Sequence, residues 1–79
     1  MGKIDSSKVE TFAKALENCE TFNEKELLDS VKPIILEVEV NDDLSTRSKL
    51  AIFSMITNLS NCEEKERKKY AKKLIRLLK

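Results

Sequence analysis

The stretch Asn23-Glu24-Lys25-Glu26-Leu27-Leu28-Asp29-Ser30-Val31-Lys32-Pro33-Ile34-Ile35-Leu36-Glu37-Val38-Glu39-Val40 decides between a helical and a mixed fold. Leu27, Leu28, Val31, Ile34, Ile35 and Val38 recur at the spacing of one helix face. Asn23 with Glu26 spells a capping box, and Phe22 with Leu27 supplies the hydrophobic staple beside it. A competing pattern lies inside the same stretch. Leu36, Val38 and Val40 alternate with Glu37 and Glu39, and the β-branched residues there suit a strand. A lone strand finds no partner elsewhere in the chain, so a helix over 24–40 is expected. Pro33 lacks an N–H and its ring clashes with the carbonyl of Asp29, which predicts a kink or a split near Val31–Lys32.

The segments on either side repeat the helical pattern. Val9, Phe12, Ala13, Leu16 and Cys19 form one stripe of a first helix over about 5–20, started by Asp5 or by a Ser7/Glu10 capping box. Asn41-Asp42-Asp43 reads as a linker that caps a third helix over about 44–60. Its segment Leu50-Ala51-Ile52-Phe53-Ser54-Met55-Ile56 is apolar nearly all round, which makes this helix the expected central element. Asn61 with Glu64 spells another capping box, and Tyr70, Ala71, Leu74, Leu77 and Leu78 stripe a last helix over 62–79. The expected fold is all-α: a small four-helix bundle forming a single domain over 1–79.

Composition narrows function mainly by exclusion. There is no histidine, which removes Ser-His and Cys-His nucleophiles and most zinc sites. The one glycine, Gly2, leaves no phosphate-cradling loop. Cys19 and Cys62 lack metal-site spacing; Cys19 reads as a small core residue, and Cys62 as a thiol at a helix N-terminus opposed by Glu63 and Glu64. Asp29-Ser30 matches the attachment serine of acyl carrier proteins but lacks the glycine-containing loop that opens a helix there, so Ser30 is read as a helix serine. The chain is therefore expected to be no enzyme and to need no cofactor or metal. No apolar run approaches the length of a membrane span and no hydrophobic signal region precedes Asp5, so a cytoplasmic location is expected. Met1-Gly2 followed by Ser6 matches the loose N-myristoylation pattern, a signature short enough to arise by chance.

Asp43-Leu44-Ser45, together with Met55-Ile56-Thr57-Asn58-Leu59 and the closing helix, looks like the YejL family of small bacterial helical proteins. The likeness covers under half the chain with a gap, which is too little to assign the family. It carries no functional residue across and implies at most a helical homodimer.

Charge is the unusual feature. Residues 1–64 hold seven Lys/Arg against thirteen Asp/Glu, a net of −6, whereas residues 65–79 hold eight against one, a net of +7. Such asymmetry points to an interaction surface. Arg67, Lys68, Lys69, Lys72, Lys73 and Arg76 flank the apolar stripe of the last helix and are the candidate interaction residues. A basic amphipathic helix can dock an acidic protein surface, track nucleic-acid phosphates or lie on an anionic membrane. It can also be a solvated face, or pair within the bundle with Glu17, Glu20, Glu24, Glu37 or Glu39. A helix-turn-helix reading would use Ser45, Thr46, Arg47, Ser48 and Lys49, but the preceding acidic residues repel phosphate. The expected function is a small regulatory or adaptor protein working through protein–protein contacts, with nucleic-acid binding as the alternative. A core this small also makes a homodimer a reasonable expectation. The Lys-, Asn-, Ile- and Glu-rich composition suits a bacterial or phage accessory protein.

Overall fold

Four helices build the chain: α1 Ser6–Ala15, α2 Glu24–Val40, α3 Thr46–Asn61 and α4 Arg67–Leu78. Short 3-10 turns at Cys19–Thr21 and Glu64–Glu66 precede α2 and α4. The computed structural model describes residues 4–79, so Met1 and Gly2 of the myristoylation pattern lie outside the described residues. Among those residues there is no strand, and the alternation of Leu36, Val38 and Val40 lies on a helix.

Each predicted helix exists, but three of the four start or stop elsewhere. α1 ends at Ala15 because Leu16 and Asn18 leave helical geometry (φ/ψ −98/2 and −113/31), and the chain tightens into the turn that carries Cys19 inside. Asp5 occupies the cap position without bonding a backbone N–H; its carboxylate accepts from the Ser7 hydroxyl at 2.7 Å. Ser7 lies within the helix, so the Ser7/Glu10 box does not form. The α2 box forms as expected, with Glu26 N–H donating to Asn23 Oδ1 at 2.8 Å and Asn23 N–H donating to Glu26 Oε1 at 3.0 Å. α2 is not split at Pro33. Pro33 lies on an exposed face of the helix, and Asp29, whose carbonyl is deprived of its helix donor, is exposed as well.

Ser45 caps α3, accepting from Ser48 N–H at 3.1 Å. Asn41 Oδ1 instead takes the Asp43 N–H at 2.9 Å, turning the chain without capping the helix. α3 runs on through Asn61, which removes the Asn61/Glu64 box and delays α4 to Arg67.

The helices pack in a ring, α1 against α2, α2 against α3, α3 against α4 and α4 against α1, which leaves α2 and α4 diagonally opposed. One core joins them, with Phe12 and Leu16, Ile34 and Val38, Ile52 and Leu59, and Leu74 and Leu78 drawn from every element. No helix is central in this ring, contrary to the expectation for α3, and α4 has the widest set of neighbours. α4 meets α1, α3 and both 3-10 turns. α3 buries Ile52, Ile56 and Leu59 but leaves Leu50 63% exposed, so its apolar surface is only partly covered. The Cα radius of gyration is 11.7 Å, against about 11.6 Å for a compact chain of this length.

Candidate binding face on the last helix

At 100° per residue, Arg67, Ala71, Leu74 and Leu78 share the buried side of α4. Lys68, Lys69, Lys72, Lys73 and Arg76, joined by Lys79 just past the helix end, are all exposed. They fall within an arc of about 140° on the opposite side. This is one continuous cationic face.

Arg67 does not belong to it. Its side chain is only 7% exposed, and Nη1 donates to the carbonyls of Phe22 at 2.5 Å and Cys19 at 3.3 Å. The guanidinium ties the turn between α1 and α2 to the start of α4, giving the Phe22 carbonyl its donor and adding a second donor to the Cys19 carbonyl, which also accepts the Phe22 N–H at 3.2 Å. It is a structural residue. The sequence carried a sign of this, since Arg67 lies four residues before Ala71 on the buried stripe.

The cationic face is not neutralised within the molecule. Among the described residues, ion pairs join Lys8 to Glu37 and Lys65 to Glu63, the latter at 3.5 Å, and none involves an exposed cation of α4. Glu37, one of the carboxylates expected beside the basic helix, is taken by Lys8; that contact holds the Lys8 ammonium above its ordinary pKa. Lys69 and Lys73 lie 5.6 and 5.5 Å from the centre of the Tyr70 ring, close enough for a cation–π attraction. The acidic residues that precede α4 sit in the 3-10 turn and at its cap, and its first turn contains none.

Along one edge of this face a groove of about 380 Å³ separates α4 from α1. Lys68, Lys72, Arg76 and Lys79 line the α4 side, and Ala13, Leu16 and Glu17 the α1 side. The α1 residues were not expected at a binding face. Only the packing of two helices more than fifty residues apart in sequence brings them there, and no local pattern encodes that.

The other singled-out residues have structural uses. Ser45 and Ser48 are occupied in the α3 cap, and Lys49 Nζ donates to the Glu39 carbonyl at 3.3 Å, which draws three of the five helix-turn-helix candidates into local contacts. Ser30 lies within α2 and donates to the Glu26 carbonyl at 2.9 Å. Cys19 is fully buried, and burial pushes its thiol above the ordinary value. Cys62 sits at the C-terminal cap of α3 and not at a helix N-terminus. Its Sγ donates to the Leu59 carbonyl at 3.3 Å, and burial followed by Glu66 raises its pKa too. Both thiols are free. Among the described residues no group of three or more His, Cys, Asp or Glu is placed to hold a metal. Nor is any helix there long and apolar enough to cross a membrane.

No family model matches this chain, and no curated protein or solved structure does either.

Proposed function

We propose that this chain is a non-enzymatic cytoplasmic adaptor or regulator that works by protein–protein contact, docking an acidic partner on the exposed face of α4. The observation that supports it is the uncompensated arc formed by Lys68, Lys69, Lys72, Lys73, Arg76 and Lys79. Within α4, Lys68–Lys72, Lys69–Lys73 and Lys72–Arg76 are like-charge pairs four residues apart. Each such pair destabilises a helix by about 0.2–0.5 kcal/mol. A helix that retains three of them in a small bundle is better suited to meeting negative charge than to stability alone.

A nucleic-acid strand would meet the same cations. Against it stand the overall charge of +1, the Glu17 carboxylate across the groove and the local engagement of the α3 serines. Self-association draws support from a different place: Leu36 and Val40 on α2 are 59% and 70% exposed.

The test is affinity capture from the native host with mass spectrometry, comparing wild type with a variant carrying Lys68, Lys69, Lys72 and Lys73 all changed to Glu. Loss of a protein partner in the variant is the expected result. Capture of nucleic acid that is shed steeply with salt and lost in the variant would replace this reading with the nucleic-acid one. An unchanged partner set would reject α4 as the docking face.

A further inference from the structure

The groove beside the cationic face continues past its first hollow. A second hollow of about 320 Å³, lined by Val9, Glu10 and Ile4 among others, shares Ala13, Ile75 and Lys79 with the first. The two join into one furrow along the antiparallel α1 and α4. Its floor is apolar, made by Val9 and Ala13 from α1, Leu16 just past its end, and Ala71 and Ile75 from α4. Its walls carry opposite charge. Lys68, Lys72, Arg76 and Lys79 line one side, and Glu10 and Glu17 stand on the other. From Lys68 to Lys79 the cationic wall runs about 16 Å, the length of three turns of a guest helix.

We propose that this furrow seats an acidic amphipathic helix of a partner protein, with its apolar stripe on the floor and its carboxylates against the α4 wall. The proposal rests on the docking reading of α4 given above and names the partner's chemistry. Helix-in-groove recognition needs an apolar strip flanked by charge that fixes orientation, and the furrow provides both. A nucleic-acid backbone has no use for an apolar floor, and Glu10 and Glu17 would repel its phosphates. A second copy of this chain placed symmetrically there would set furrow against furrow and supply no helix to fill either.

The probe is a fluorescein-labelled synthetic peptide of about 14 residues, enough to fill three to four helical turns. It carries leucines at i, i+3, i+4 and i+7, glutamates along one flank and lysines along the other. A scrambled peptide of the same composition and a DNA duplex of about 20 base pairs, scored for salt dependence, serve as comparisons. The variants are Ala13→Trp, which fills the furrow without changing charge; Glu17→Lys at its lip; Lys25→Glu/Lys32→Glu on the diagonally opposite α2 as the charge control; and Lys68→Glu/Lys72→Glu/Arg76→Glu on the wall. Circular dichroism checks that each variant folds.

The ordered peptide should bind at least about tenfold tighter than the scrambled one, and Ala13→Trp and the wall variant should each weaken it about tenfold or more. Lys25→Glu/Lys32→Glu should change it by less than about threefold. Equal binding of ordered and scrambled peptides overturns the furrow whatever the variants do, so a poorly folded Ala13→Trp does not shield the proposal. If Glu17→Lys and Ala13→Trp are also silent while the wall variant still abolishes binding, the furrow fails and the docking reading of α4 stands. If the wall variant binds like wild type, both fall. Tighter, salt-sensitive binding of the duplex than of the ordered peptide overturns the proposal in favour of nucleic acid.

Discussion

Arg67 shows how a residue's neighbours in sequence can mislead about its place in the molecule. Charge alone groups it with Lys68 and Lys69, yet helical periodicity places it with Ala71, Leu74 and Leu78, and the periodicity prevails. Changing Arg67 to Met keeps most of the buried volume, strands the Phe22 carbonyl and leaves the Cys19 carbonyl with the Phe22 N–H alone. That should cost about 2 kcal/mol, lowering the melting temperature by about 10 °C for a chain of this size. A denaturation curve measures it, while binding at the α4 face should persist in the folded fraction. The cysteines make a separate prediction through pH. In the unfolded chain Cys19 ionises at its ordinary value of 9.0, whereas burial in the folded state raises that value. The unfolded state therefore loses its proton first, so this contribution is intact below pH 9 and declines as the pH rises toward the folded value. Lys8, also raised in the fold, begins its own loss only above 10.5. Urea titrations between pH 8 and 10.5 should show stability falling in wild type and a shallower slope in Cys19→Ala/Cys62→Ala. Equal slopes would count against a buried Cys19.

At the scale of elements, existence was legible in the sequence and boundaries much less so. The apolar stripes marked four helices because each must bury one face. Of the three predicted capping boxes only Asn23/Glu26 forms, since the pattern is short and chain continuation wins elsewhere: α3 runs through Asn61, and α1 begins before Ser7. Central placement was misassigned for a related reason. An apolar segment states that it can be covered, not that it is, and Leu50 remains largely in water. Pro33 gives the sharpest prediction here. Because α2 stays continuous, Pro33→Ala should restore the missing bond to the Asp29 carbonyl. The gain of about 3 kcal/mol in helix propensity, less about 1 kcal/mol for the freer unfolded chain, leaves about 2 kcal/mol of added stability. A variant less stable than wild type would mean that the ring makes a contact worth more than the bond.

For the whole molecule, net charge describes almost nothing. The chain carries +1 with a sequence pI near 7.7, yet its cations gather on α4 while Glu24, Glu26, Asp29 and Glu39 lie on the diagonally opposite α2. Such a separation sets up a local field that a column can read. At pH 8 and low salt, above its pI, the protein should be retained on a cation exchanger, and the fourfold Lys→Glu variant should flow through. A wild type that fails to bind would show the arc to be screened. The charge reversal near residue 65 was plain in the sequence. Which cations stay in water, and what faces them across α1, depended on tertiary packing and could not be read there.

The clasp of Arg67 on the Cys19–Phe22 turn also has a bearing on how the chain is made. α4, which covers α1 and α3, is synthesised after the other three helices. Until α4 emerges, the inward faces of α1 and α3 lack the surface that covers them, and the Phe22 carbonyl lacks its donor. The bundle therefore cannot mature from its N-terminus forward, and its nascent form displays apolar helix faces throughout synthesis. The same residues that close the native structure thus decide how long the growing chain depends on being kept from its neighbours.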